Sequence, residues 1–348
     1  MLPTLDPQRH LAPRTRARYR DGVTSRFAAV DGLLAEAVGP VFPSAQLLVV
    51  DGGRELYARA VGAASLGTRF DLASLTKPLC TAALVLRLVE RGRLGLDERP
   101  RPEATVRELL RHAGGLPAWR LLADPAAPSP GERVRAIEAA RAEPLAYAPG
   151  TRSVYSDLGF ILLGDAVERA GGAPLDRLFA DELAAPLGAD VRFGPIGGDV
   201  APTEGDLRGV VHDENCRAMG GVGGHAGLFG DARAVGRLVA DWVAAWHAEP
   251  ARVPAALVKE AFAAPAIPGS TWGLGWDHPS PEGSAAGARW VRTGVGHLAF
   301  TGCSIWIDPP RRRWVVLLSN RVHPTRTNET IRSLRPRLHD AIVAALDD

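Results

Sequence analysis

The sequence predicts an α+β fold, an antiparallel sheet flanked by helices from both ends of the chain with a helical subdomain inserted between its strands. Three observations predict it. Two strand-like runs, Ala45–Val50 and Glu55–Gly62, bracket Asp51-Gly52-Gly53, a hairpin signal. Residues 94 to 264 are then largely helical in pattern and punctuated by Pro and Gly. From Thr271 the pattern returns to strands, and a helical run closes the chain.

In chain order, residues 1–20 read as a loose arm, and residues 21–348 as one domain. Its sheet part is 21–70 plus 265–348, and its helical part is 71–264. From about Ser25 to Val38, Phe27, Val30, Leu33, Leu34 and Val38 share one helix face. A second helix, Leu79 to Arg91, is apolar nearly all round and stops at Gly92, which marks it as buried. A third opens at Thr105 (TVRELLRH) and ends at Gly114-Gly115, and Leu158–Ala170 forms another. Trp272–Trp276, Arg289–Thr293, Ala299–Ile307 and Trp314–Ser319 read as strands, rich in Trp, Val, Ile and Thr. The closing helix spans about Thr327–Leu346.

Composition narrows the function classes. With 46% hydrophobic residues over 348 positions, the chain can bury one large core or two subdomains. A net charge of +2 with dispersed arginines gives no case for nucleic acid. Three cysteines, Cys80, Cys216 and Cys303, have no metal-type spacing and imply no disulfide framework. The first twenty residues lack the apolar core of a signal peptide, and no run of eighteen apolar residues occurs. The expectation is a cytoplasmic monomer acting on a small-molecule or peptide substrate, without nucleic-acid or membrane partners.

The chemistry centres on Phe70–Cys80, which contains Ser74-Leu75-Thr76-Lys77. Pro78 cannot donate to the carbonyl of Ser74, so the helix should begin at about Ser74. Residues three apart share a helix face, which places the Ser74 hydroxyl beside the Lys77 amine. The positive end of the helix dipole favours an oxyanion there and disfavours an ammonium. That suits a serine nucleophile with a lysine base. An S-x-x-K tetrad is commonly a surface cap followed by a solvated lysine, but this chain has only two lysines, Lys77 and Lys259, against thirty-nine arginines. Arginine cannot give up its proton, so a base must be Lys.

A second motif is Tyr155-Ser156-Asp157. A tyrosine near a lysine can act as base or acid, whereas Asp157 can equally cap the helix that starts at Leu158. The third is Gly296-His297-Leu298-Ala299-Phe300-Thr301-Gly302, where a strand edge can offer a backbone N–H to an oxyanion.

Together these blocks resemble the serine β-lactamase and penicillin-binding protein superfamily, and most nearly the class C β-lactamase-like esterases, D-aminopeptidases and amidases. FDLASLTKPLC looks like its nucleophile helix, VRELLRHAGGLP like its LLTHTSGLP segment, and GHLAFTGCSIWIDP like its GHTGFTGTSLWIDP strand. The resemblance implies the β-lactamase/transpeptidase fold and no metal or organic cofactor. It implies Ser74 as nucleophile, Lys77 as base or relay, and Tyr155 as partner base and acid. The backbone N–H groups of Ser74 and Phe300 would form the oxyanion hole, with His297 in the place of the third motif's Lys or His.

Two departures bear on chemistry. Asp157 stands where Asn is common and should favour the ammonium form of Lys77. Leu298-Ala299 replaces the usual Thr-Gly, which alters the grip on a substrate carboxylate. A further block, VHDENC followed by GGVGGHAGLF, resembles relatives that act on peptidoglycan fragments. It offers His212, Asp213 and His225 as substrate contacts on a glycine-rich loop at the pocket rim, or as a loop held by histidine–carboxylate bonds.

The function so implied is a serine hydrolase that cleaves an amide or ester through an acyl-enzyme on Ser74, with peptidoglycan-derived amides favoured. A non-catalytic penicillin-binding-type module is the alternative. A metallohydrolase built on His212, Asp213, Cys216 and His225 lacks a recognised ligand spacing.

Overall fold

The computed structural model describes residues 26–347. The arm expected over residues 1–20 and the helix start at Ser25 lie outside them. The hairpin is formed by β1 (Ser44–Asp51) and β2 (Arg54–Gly62). Two short strands, β3 (Phe70–Asp71) and β4 (Arg192–Phe193), pair with β5 (Leu228–Gly230) in a small sheet of order β3-β5-β4. The third segment supplies β6 (Val295–Leu298), β7 (Ser304–Asp308) and β8 (Arg313–Ser319). The main sheet has the order β2-β1-β8-β7-β6 with antiparallel neighbours, so both ends of the chain build it together.

Alternation along the central strands divides the core. Leu47 and Val49 face the terminal helices Ala28–Ala37 and Ile331–Asp347, with Leu317 and Trp306 beside them. Leu48 and Val50 face the other way, into the core that holds the nucleophile helix and Ala232–Trp246. Because β1 is covered on both faces, its central run Leu47–Val50 is apolar at every position.

Several expected elements differ. Trp272–Trp276 is not a strand but a tight turn closed by a bridge between Trp272 and Asp277. Gly275 has φ +78°, and a Cβ there would press on Ala82 at 2.7 Å, so the turn must carry glycine. Trp276 is a buried plug against Trp242 and Phe262 instead of a strand residue. Arg289–Thr293 is irregular chain leading into β6, and Ala299–Ile307 is broken by a turn in which Gly302 has φ +107°. The closing helix starts at Ile331, later than Thr327. None of the described helices is long and apolar enough to cross a membrane.

Candidate active site

The nucleophile helix is irregular where chemistry is expected. Ser74 lies in a single 3-10 turn, Lys77–Ala82 is wound as a π-helix, and α geometry begins only at Ala83. Pro78 removes one helical donor, and π turns commonly sit at functional sites. Ala73, directly before Ser74, is held at φ +44°, a conformation a non-glycine residue adopts only when its surroundings impose it. What imposes it is Asp71. Its buried carboxylate accepts from Ala73 N–H at 2.8 Å and from His212 N–H at 2.7 Å, pinning the turn to the 212–213 segment. Burial pushes the Asp71 carboxyl up to about 6, against the pull of those two N–H groups.

Lys77 is wholly buried. Its ammonium donates to Ser74 Oγ at 3.0 Å and to the His225 carbonyl at 2.9 Å, and it lies 2.6 Å from Asp157 Oδ1. Burial opposes the charge, but Asp157 and Tyr155 outweigh it and raise the Lys77 pKa above its ordinary value. Asp157 sits in the first turn of helix Asp157–Gly171 and is not its cap; Ser156 accepts from Gly159 N–H in that role. The carboxylate is thereby left to the lysine.

Tyr155 faces Lys77, with the ammonium 4.9 Å from its ring centre. Its hydroxyl is buried with no hydrogen-bond partner among the described residues. Burial raises the phenol's pKa, and the nearby Lys77 only partly offsets this. His297 is buried beside it, with ring centres 6.0 Å apart. The His297 Nδ1 donates to the Leu298 carbonyl at 2.8 Å, and burial, then Lys77, lower its pKa to about 3. This imidazole is neutral at working pH.

Ser74, Tyr155 and Asp157 border a cavity of about 540 Å³ lined also by His212, Asp213, Ala226, Leu298, Ala299 and Phe300, with Trp119, Trp272, Asp277 and the Glu214–Arg326 pair. Neither Ser74 N–H nor Phe300 N–H donates to another group among the described residues, so both expected oxyanion donors are unspent. His212 stacks on Phe300 at 5.5 Å, and its Nε2 lies 3.2 Å from Glu204. His225 is different: its side chain is buried behind the cavity, with Nε2 bonded to Asp213 at 2.7 Å. Its contribution to the site is the carbonyl that holds Lys77. The glycine-rich loop packs against the nucleophile helix and also contributes Ala226 to the cavity lining. Thr81 donates to the Gly224 carbonyl at 2.7 Å, and a Cβ on Gly224 would meet the Phe160 carbonyl oxygen at 2.1 Å. Cys216 donates to the Ala226 carbonyl, and Asp213 is bonded to His225 Nε2 and the Cys216 N–H, so Cys216 and Asp213 of the metallohydrolase set are bonded within the protein.

A family model described as Beta-lactamase matches residues 30–336. The chain belongs to the β-lactamase family. Among relatives, it is 29% identical to an Escherichia coli (strain K12) protein named "Putative D-alanyl-D-alanine carboxypeptidase", over 86% of this chain and 83% of the other. It is 28% identical to an "N-acetylmuramyl-L-alanine amidase" of Bacillus subtilis (strain 168), over 86% and 82%. Among solved structures, EstCE1, "a hydrolase with promiscuous acyltransferase activity", superposes with a TM-score of 0.74 at 22% identity, over 93% of this chain and 100% of that one. A penicillin-binding protein homologue from Caulobacter crescentus gives 0.69 at 21%, over 92% and 97%. These likenesses establish the β-lactamase/transpeptidase fold and a serine hydrolase.

In this β-lactamase-family hydrolase, three residues escaped sequence reasoning. Asp71 lies in the FDLAS block, yet its partner His212 N–H is far away in sequence. His112 holds the Tyr155 segment on both sides, its carbonyl accepting from Val154 N–H at 2.9 Å and its Nδ1 from Ser156 N–H at 3.0 Å. Its signal was the VRELLRHAGGLP block, read only as a resemblance. Trp272 packs edge-on to His112 and lies against Tyr155, and was read as a strand residue. Replacing Asp71 by Ala strands two buried N–H groups, each worth roughly 1–3 kcal/mol. We expect Asp71→Ala to lose about 2–5 kcal/mol of stability in urea unfolding; a loss below about 0.5 kcal/mol would show that other groups hold the turn.

Proposed function

We propose that the enzyme cleaves an amide or ester through an acyl-enzyme on Ser74, with peptidoglycan-derived peptides or amides as its substrates. The observation that carries the reading is the 3.0 Å bond from Lys77 to the Ser74 hydroxyl, in a cavity where two backbone donors are unspent. The names of the carboxypeptidase and amidase relatives support the substrate class.

The raised pKa values of Lys77 and Tyr155 mean that neither is a standing base at neutral pH. The geometry favours a relay. Lys77 Nζ first gives a proton to Asp157 Oδ1 at 2.6 Å and, as the neutral amine thus formed, turns its lone pair to take the Ser74 proton as Oγ attacks the carbonyl carbon. Negative charge on the carbonyl oxygen is met by Ser74 and Phe300 N–H. The protonated Tyr155 phenol donates to the leaving group, and the proton held by Asp157 returns through Lys77 to the phenolate. Water then attacks the acyl-enzyme, its proton passing through this same set to Ser74 Oγ as the acyl–oxygen bond breaks and the serine hydroxyl is restored.

Ser74→Ala is expected to abolish turnover and covalent labelling by a fluorophosphonate, read by intact mass, while the protein stays folded. Lys77→Arg keeps the charge but not the relay and should cost roughly 10²–10⁴-fold in kcat. An adduct on Ser74→Ala, or near-native turnover of Lys77→Arg, would contradict the assignment.

Substrate class follows from the third motif. Leu298 offers no hydroxyl to a substrate carboxylate, and Ala299 adds a methyl beside the cavity. A hydrogen bond lost to a charged group is worth roughly 1.5–3 kcal/mol, or one to two decades. We expect poor hydrolysis of nitrocefin relative to a p-nitrophenyl ester. Leu298→Thr with Ala299→Gly should raise the nitrocefin rate selectively. A kcat/KM for nitrocefin at or above that for the ester would refute this.

A further inference from the structure

The charges around the cavity are nearly all answered within the protein. Asp157 is paired with Lys77, Asp213 with His225, and Glu214 with Arg326. Asp277 is the exception. It lines the cavity, yet no cation lies within ion-pair distance among the described residues, and its Oδ1 is buried without a hydrogen-bond partner. Thr271 and the His278 N–H lie nearby, and neither carries charge.

Its placement is defined by backbone pairing. Asp277 and Gly296 exchange both N–H···O bonds at 2.8 Å, which sets Asp277 alongside β6 next to His297. The His297 imidazole is fully buried, and because Nδ1 is spent on Leu298, Nε2 is a lone-pair acceptor with no partner. Trp272, bridged to Asp277, places its ring 5.4 Å from those of both Tyr155 and His297. This wall therefore offers a carboxylate and an aromatic face, backed by a neutral imidazole and with no cation of its own.

We propose that Asp277 and Trp272 form a subsite for a protonated amine carried by the substrate, with the uncharged His297 imidazole packed behind them. The proposal rests on the hydrolase reading and narrows it from amides and esters in general to those bearing an ammonium group. A carboxylate beside an indole is the combination that recognises an alkylammonium, through a charge-assisted hydrogen bond and a cation–π contact. Burial holds the Asp277 carboxyl up at about 6, and a bound cation would supply the opposite charge that favours its ionised form. With Leu298 in place of a hydroxyl, the same wall gives a carboxylate nothing to bind.

Two measurements test the subsite separately from catalysis. Titration calorimetry on Ser74→Ala protein should show binding of benzylammonium and not of benzoate, and Asp277→Asn in that background should weaken benzylammonium roughly tenfold or more. With active enzyme, D- or L-alanine p-nitroanilide should exceed its N-acetyl counterpart in kcat/KM by roughly tenfold or more, and Asp277→Asn should collapse that ratio. Benzoate binding as tightly as benzylammonium, or benzylammonium binding unchanged by Asp277→Asn, would overturn the subsite. Selective benzylammonium binding with no fluorophosphonate adduct on native Ser74 would uphold the subsite and sink the hydrolase reading instead.

Discussion

A buried ion pair governs this site. Lys77 has no contact with solvent, and an unpaired ammonium in such a place would lose its proton. Asp157 keeps it charged from 2.6 Å, and the His225 carbonyl and Ser74 hydroxyl take up its other donors. Much of the surrounding structure serves that arrangement. Helix Asp157–Gly171 delivers the carboxylate in its first turn because Ser156 takes over the capping. The loop Gly223–Gly227 can bring the His225 carbonyl to the lysine because Gly224 fits against the backbone of that helix. Removing either partner would leave a buried charge uncompensated, which is among the more destabilising changes a core can suffer.

The seam between the two halves of the molecule follows from the same constraint. The nucleophile turn, the Tyr155 segment and β6 come from three separate regions of the chain, and the fastenings between them are polar and long-range. Thr301 Oγ1 donates to the Asp71 carbonyl, Asp71 holds His212 N–H, and His112 holds Val154 and Ser156. Each bond is buried, so each adds geometric definition to a cavity whose reacting groups must be placed to within a fraction of an ångström.

Local chemistry was legible in the sequence and remote partnership was not. Ser74 and Lys77 could be read because their spacing fixes a shared helix face and because lysine is so rare in this chain. The hairpin and the buried helix were legible from period and turn residues. The effect of Asp157 on Lys77 was foreseen from charge alone, but its capping role was misplaced, since Ser156 competes for it one residue earlier. Asp71, His112 and Asp277 act through backbone groups brought in by the fold, and no local pattern encodes such partners. Trp272–Trp276 misled for a different reason. Tryptophan favours strands because it packs well on a half-buried surface, and here the packing demand is met by a glycine turn. The π winding of Lys77–Ala82 likewise had only Pro78 as a local sign.

Because the chain has only two lysines, the state of the ion pair can be observed directly. Protein labelled with ¹⁵Nζ-lysine gives two side-chain signals, one of which is removed by Lys259→Arg. Followed by NMR over pH 6 to 11, the Lys77 signal should stay that of an ammonium beyond the ordinary lysine value of about 10.4. In Asp157→Asn it should titrate at lower pH. A native Lys77 signal that becomes neutral below about pH 9 would contradict the account, since the lysine would then be a free base and the relay through Asp157 unnecessary.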